Sequence, residues 1–178
     1  MYHFTNSWFS EFHARAWKVL FEQFRIINYL EIGCFEGRSA ICAMENMALK
    51  STSINVTIIE PFYKQNVGGE HDDECKKHCL SNLSHASSVL SSRCKVNLDL
   101  IEKESTYALP ELIAKKIQKP DFIYIDGCHE KSIVLSDAVM SFHLLKIGGV
   151  MGFDDYWSKP KEAIDAFVNI YREKLEIL

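Results

Sequence analysis

Apolar residues along the chain follow two rhythms. Short, nearly continuous apolar runs occupy residues 26–32 (IINYLEI), 53–60 (SINVTIIE), 96–101, 121–126 (DFIYID) and 150–153 (VMGF). Such runs read as strands buried on both faces of a parallel sheet. Between them the apolar positions recur at helical spacing. Asn6 or Ser7 can cap a first helix to about Phe24, with Phe9, Phe12, Ala16, Leu20, Phe21 and Phe24 as its stripe and Trp8, His13 and Trp17 alongside. Residues 39–49 continue as a helix, and a segment from about residue 71 buries Cys75, Cys79, Leu80 and Leu83. Residues 109–117 form another, halted by Lys119-Pro120. From Lys131 the apolar side chains Ile133, Val134, Val139, Met140, Phe142, Leu144 and Leu145 describe a helix that Gly148-Gly149 ends. Lys159-Pro160 opens a last helix with Ile164, Ala166, Phe167, Ile170 and Tyr171, and the final LEIL reads as the start of a further strand.

Strand and helix alternate, so the pattern predicts an α/β fold. It is a doubly wound, mostly parallel sheet with helices on both faces, in one domain spanning residues 1–178. Parallel strands point the same way, and several of these end on acids. Glu60, Asp126, Asp154 and Asp155 are therefore expected at the carboxyl edge, where open α/β sheets bind ligands.

Composition narrows the functional classes. A net charge of −4 and the lack of a long basic run argue against nucleic acid or an anionic membrane as partner. No apolar stretch approaches a membrane span, and the first residues carry no basic-then-apolar leader. Six cysteines (Cys34, Cys42, Cys75, Cys79, Cys94, Cys128) are scattered through unlike elements, which suits free thiols and a cytoplasmic location.

The chemistry gathers at two places. After the first strand comes Glu31-Ile-Gly33-Cys-Phe-Glu-Gly37-Arg-Ser39, where Gly33 permits a tight turn and Gly37 a close backbone approach to a ligand. Glu60 ends the next strand 27 residues beyond Gly33, placed to accept hydrogen bonds from a ribose. The second place is residues 121–156, where Asp126, Asp154 and Asp155 converge with His129 nearby. Single acids at strand ends are often helix caps, whereas three with a histidine suit a hard divalent cation. Other features have a plain and a sharper reading. The first helix is either packing or a cover for a cofactor that Trp8 or Phe12 reaches. Residues 61–70 can form a lid or substrate wall. Cys75 and Cys79 with His71 or His78 could ligate zinc, although the spacing matches no standard zinc module. Cys128 reads as a small buried or half-buried thiol rather than a nucleophile, and His143 as a satisfied structural histidine.

The segments EIGCFEGRS, TIIE, DFIYIDGCHE and LLKIGGVMGFDDY together resemble the motifs of class I S-adenosylmethionine-dependent methyltransferases. They are most similar to small-molecule O-methyltransferases carrying I-D-G-x-H and D-D-Y, over roughly residues 26–171. The resemblance implies a Rossmann-like fold, S-adenosylmethionine as cofactor and a small hydroxylated acceptor. It implies that Glu31, Gly33 and Gly37, with Ser39, border the methionine part of the cofactor and that Glu60 holds its ribose. Glu104 and Ser105 would lie near the adenine, with Asp126 also on the cofactor side. Asp126, Asp154 and Asp155 match ligands for a divalent metal, usually magnesium, and His129 stands where catechol-type enzymes carry a basic lysine. His129 is thus the expected base, acting beside Asp126.

Two departures from the family pattern stand out. Cys128 occupies a position where some sugar O-methyltransferases carry a second acid, and LEIL supplies at most one strand of the usual closing hairpin. The missing strand and the aromatic first helix are compatible with a homodimer. Rival readings are a cofactor-binding but inactive relative, a metal-dependent hydroxylase-like relative, and a nicotinamide dehydrogenase. The last is disfavoured by the missing middle glycine of G-x-G-x-x-G.

Overall fold

The computed structural model describes residues 1–64 and 71–178. Five strands, β1 (Asn28–Ile32), β2 (Ser53–Ile59), β3 (Lys95–Ile101), β4 (Phe122–Ile125) and β5 (Val150–Phe153), form one parallel sheet in the order β3-β2-β1-β4-β5. The helices are α1 (Glu11–Gln23), α2 (Arg38–Ala48), α3 (Asp73–Leu90), α4 (Ser105–Lys115), α5 (Lys131–Leu144) and α6 (Lys161–Tyr171). The α/β class and the doubly wound sheet therefore stand as the hydrophobic pattern implied.

Strand side chains alternate between two cores, because successive residues of a strand point to opposite faces. Tyr29, Phe122 and Tyr124 pack with α1, α2 and α3, through Trp17, Met44 and Leu83 among others. Leu30, Ile32, Ile123 and Ile125 pack with α4, α5 and α6, through Leu109, Ala138 and Phe167. Trp17 ties α1 to the sheet, its ring edge-on to Phe122 at 5.3 Å and to Tyr124 at 4.9 Å.

Several boundaries differ from the sequence reading, each for a local reason. Helix α1 starts at Glu11, because Asn6 is spent on a local turn, accepting from the Trp8 N–H at 3.0 Å. The backbone N–H of Ser10 donates instead to His13 Nδ1 at 3.0 Å, closing the helix start. Residues 1–9 consequently run as a strap. Phe12 is not part of the packed stripe, being 77% exposed, and Trp17 and Phe21 are the residues α1 buries. Helix α4 starts at Ser105, since the Glu104 carbonyl accepts from the N–H groups of Tyr107 and Ala108. Residues 175–178 form no strand, so β5 is an edge of the sheet; Leu175 packs on the second core instead.

The order of the strands places a topological switch between β1 and β4, where the chain returns from β3 to the other side of β1. Gly33 sits at that switch with φ +80°, and a Cβ there would lie 2.2 Å from the Asp126 carbonyl oxygen. The glycine is required because the turns after β1 and β4 pass in backbone contact. Behind this edge Asp137 of α5 is fully buried, and neither of its carboxylate oxygens has a hydrogen-bond partner. Burial pushes its carboxyl up to about 6.

Gly33→Ala is expected to lower the free energy of unfolding by about 3 kcal/mol or more, read by urea denaturation. Asp137 retains protons in the folded state at a pH where the unfolded chain has lost them, so it subtracts stability as pH rises from about 4 to about 7. Asp137→Asn should therefore gain on the native protein by up to roughly 3 kcal/mol across that window. Parallel stability curves would show that the group is solvated.

Candidate functional site

The carboxyl ends of the strands surround a cleft of about 1070 Å³. Gly33, Cys34 and Phe35 after β1, Glu60 after β2, and Glu104 and Ser105 after β3 form one side. Asp126 and His129 after β4 and Asp154 and Asp155 after β5 form the other. The N-terminal strap closes over them with Phe4, Trp8 and Phe9, and His13 of α1 joins it. The Trp8 ring packs on Phe35 at 5.0 Å, so Trp8 reaches the cleft, whereas Phe12 points to solvent.

Glu60 organises the turn that precedes α2. Its Oε2 accepts from the backbone N–H groups of Cys34 at 2.9 Å and Phe35 at 3.0 Å, and its Oε1 from Phe62 N–H at 2.9 Å. These bonds hold Phe35 in a left-handed conformation (φ +49°) that a non-glycine residue rarely adopts. Glu104 accepts from the Tyr63 hydroxyl at 3.2 Å and from Thr106 Oγ1 at 3.4 Å.

Two residues expected beside a cofactor stand outside the cleft wall. Glu31 is fully buried behind it, where Ser39 Oγ donates to Oε1 and Oε2 has no partner. Burial pushes its carboxyl well above the ordinary carboxylate range. Gly37 faces α3 instead of the cleft, since a Cβ there would lie 3.3 Å from the Leu83 side chain and 3.6 Å from Cys79 Sγ. Ser39 does line the cleft.

At the β4–β5 end, one potential ligand atom from each of Asp126, His129 and Asp154 lies within 4.8 Å of the other two. That spacing suits donors around one divalent ion, which sits about 2.0–2.6 Å from each oxygen. Asp155 is outside this cluster and His129 is inside it. Asp155 adopts φ +52°, and its Oδ2 lies 3.3 Å from His129 Nδ1, while His129 Nε2 faces Asp126 Oδ1 at 3.8 Å. Burial, reinforced by Asp154, pushes the Asp126 carboxyl up to about 7 against the opposing pull of His129. The Asp126 carboxylate, joined by Asp155 and Asp154, raises the imidazole of His129 above its ordinary value despite partial burial. Acids crowded this closely resist full ionisation, which a cation between them would relieve.

Tyr124 went unrecognised in the sequence. Its hydroxyl donates to Asp154 Oδ1 at 2.9 Å and aims that carboxylate. The signal was its place two residues before Asp126, the alternation by which a strand aims side chains to one side.

Other expectations fall differently. Cys79 Sγ lies 3.5 Å from Cys34 Sγ, and His78 is taken up by Glu36 and His3, so no zinc ligand set forms there. Among the described residues, the Asp126–His129–Asp154 group is the one with metal-binding geometry. Of the lid segment, Pro61, Tyr63 and Lys64 line the cleft, and residues 65–70 lie outside the described residues. His143 is exposed on α5, and Cys128 is exposed at the cleft instead of buried or half-buried, because it sits in the turn after β4. No helix among the described residues is long and apolar enough to cross a membrane.

Comparison with known proteins gives concordant results. TomG, the O-methyltransferase from Streptomyces achromogenes involved in tomaymycin synthesis, solved with SAM, superposes with a TM-score of 0.65 at 15% identity, over 93% of this chain and 70% of that one. The O-methyltransferase from Bacillus cereus, solved with SAH, gives 0.63 at 20% identity, over 92% and 70%. At these identities the likeness is one of fold. An uncharacterized protein of Acanthamoeba polyphaga mimivirus is 28% identical over 130 residues, 73% of this chain and 52% of that protein. The chain thus spans about half the length of that curated relative. A family profile described as a methyltransferase domain matches residues 30–156, from within β1 to just past β5, and takes in both acid-bearing turns of the cleft. The chain belongs to this methyltransferase-domain family.

Proposed function

We propose that the protein transfers a methyl group from S-adenosylmethionine to a hydroxyl of a small molecule, assisted by a divalent cation, magnesium by preference. The observation that carries this reading is the union, in one cleft, of the Gly33 turn with Glu60 and the Asp126–His129–Asp154 cluster. Its volume of about 1070 Å³ accommodates a nucleoside cofactor together with a small acceptor. Both structural relatives are O-methyltransferases, which supports the same assignment.

The residues divide the work by position. Glu60 at the end of β2 offers its carboxylate to the ribose hydroxyls, and Glu104 and Ser105 at the end of β3 flank the base. Gly33, Ser39 and the turn between them border the amino-acid end, with Glu31 supporting Ser39 from behind. Asp126 and Asp154 are the carboxylates that would hold the cation, and Tyr124 orients the second of them. When bound, the cation supplies Lewis-acid polarisation of the acceptor hydroxyl, and the sulfonium supplies the methyl group. His129 takes the hydroxyl proton on Nε2, while Asp155 holds Nδ1 and fixes the ring. Oxygen gains the methyl group as the sulfur–carbon bond breaks, and a neutral thioether leaves. Two carboxylates completed by water form a hard oxygen donor set, which suits magnesium better than the two-histidine sites of redox iron and leaves the His129 imidazole free as the base.

Calorimetric titration of the native protein should show binding of S-adenosylhomocysteine. Glu60→Gln should weaken it by about tenfold, as a charge-assisted hydrogen bond is lost. Absence of binding to the native protein sinks the proposal. Asp154→Asn should leave this binding within about twofold and abolish the heat of magnesium binding. Because Asp126 must give up its proton to hold a cation, magnesium affinity should rise as pH increases through about 7. Titrations in buffers of different ionisation enthalpy should show proton release below that pH. A pH-independent affinity would place the cation elsewhere.

A further inference from the structure

A cation without an acidic counterpart stands in the cleft wall. Arg38 opens α2 and lines the cleft beside Phe4 and Phe9 of the strap. Its guanidinium lies 4.3 Å over the Phe4 ring, Nη1 makes a long 3.5 Å contact with the Phe9 carbonyl, and Nε is buried with no hydrogen-bond partner. Among the described residues no carboxylate forms an ion pair with it. The acid nearest in sequence, Glu36, is already spent. Its Oε2 accepts from Thr5 N–H at 2.7 Å, and its Oε1 contacts Thr5 Oγ1 and His78 Nδ1, each at 3.0 Å. Lys159, another cation of the cleft wall, is neutralised by Glu130 at 2.6 Å. Arg38 is therefore a planar fork of five donors, held in place by an aromatic ring and making one long hydrogen bond. Leaving a buried guanidinium N–H without a partner costs free energy, and a ligand carboxylate would recover it.

We propose that Arg38 is the carboxylate anchor of the cleft. It follows β1, the middle strand of the sheet, with Glu60 on one side and Asp126 on the other. A nucleoside over the ends of β2 and β3 extends its amino-acid end toward β1, so the expected carboxylate is that of the cofactor; this assignment rests on the function proposed above. A carboxylate on the acceptor is the other source of the same chemistry. In either case the guanidinium grips two oxygens and sets how deep the ligand sits.

The test titrates the native protein, Arg38→Gln and Arg38→Lys with S-adenosylhomocysteine and with methylthioadenosine, which lacks the amino-acid end and its carboxylate. Arg38→Gln is expected to weaken S-adenosylhomocysteine about 10- to 100-fold and leave methylthioadenosine within about twofold, with Arg38→Lys between. Equal loss of both ligands, or of neither, overturns the cofactor assignment. A second arm follows the intrinsic tryptophan emission, to which Trp8 in the cleft wall contributes, on titration with protocatechuate and protocatechuyl alcohol without cofactor. A native preference for the acid that Arg38→Gln erases assigns the anchor to the acceptor. If the variant matches the native protein toward all four compounds, Arg38 is no anchor. Failure of the native protein to bind either nucleoside would instead sink the proposed function, while the second arm still reads Arg38.

Discussion

The turns after β1 and β4 cross in backbone contact, and the cleft depends on that crossing. Pairing of Ile32 with Ile125 in the sheet puts Gly33 directly against Asp126. Any side chain at Gly33 would occupy the space of the Asp126 carbonyl. With the two turns pressed together, the Glu60 side of the cleft and the Asp126 side share one wall. Were they a few ångströms farther apart, the two acid-bearing turns would line separate hollows instead of one cleft.

Electrostatics sets the second constraint. Four acids face the cleft from β2, β4 and β5, in a chain of net charge −4. Glu60 is relieved by three backbone N–H groups, and Asp154 by the Tyr124 hydroxyl. Asp126 has no such relief beyond His129, and its carboxyl is pushed up to about 7. A raised carboxyl that also lines the cleft, unlike the buried Glu31 and Asp137 behind it, is a common feature of functional sites. The N-terminal strap adds aromatic walls. Its own attachment consumes Glu36, which is why Arg38 faces the cleft uncompensated.

How much of this the amino-acid order reveals depends on the range of the interaction. Buried parallel strands announce themselves through short apolar runs, and all five were visible to within two residues. Acids at strand ends are equally legible, because parallel strands deliver their carboxyl ends to one edge whatever the details of packing. Helix α5 was clear from its apolar spacing and its glycine stop. The start of α1 was not, since Asn6 and Ser10 are both good caps and the choice between them was made by His13 and the strap.

The sequence by itself thus determined the α/β class, the parallel sheet, and the gathering of Glu60, Asp126, Asp154 and Asp155 at its carboxyl edge, because local periodicity and strand direction suffice for these. Only the tertiary structure decided which atoms meet. It put His129 within the acidic cluster and Asp155 behind its ring, and it turned Gly37 toward Leu83. It also buried Glu31 behind the cleft wall and swung the strap over it to leave Arg38 alone among the aromatics. These outcomes depend on side-chain directions and on contacts between residues tens of positions apart, which no local pattern encodes.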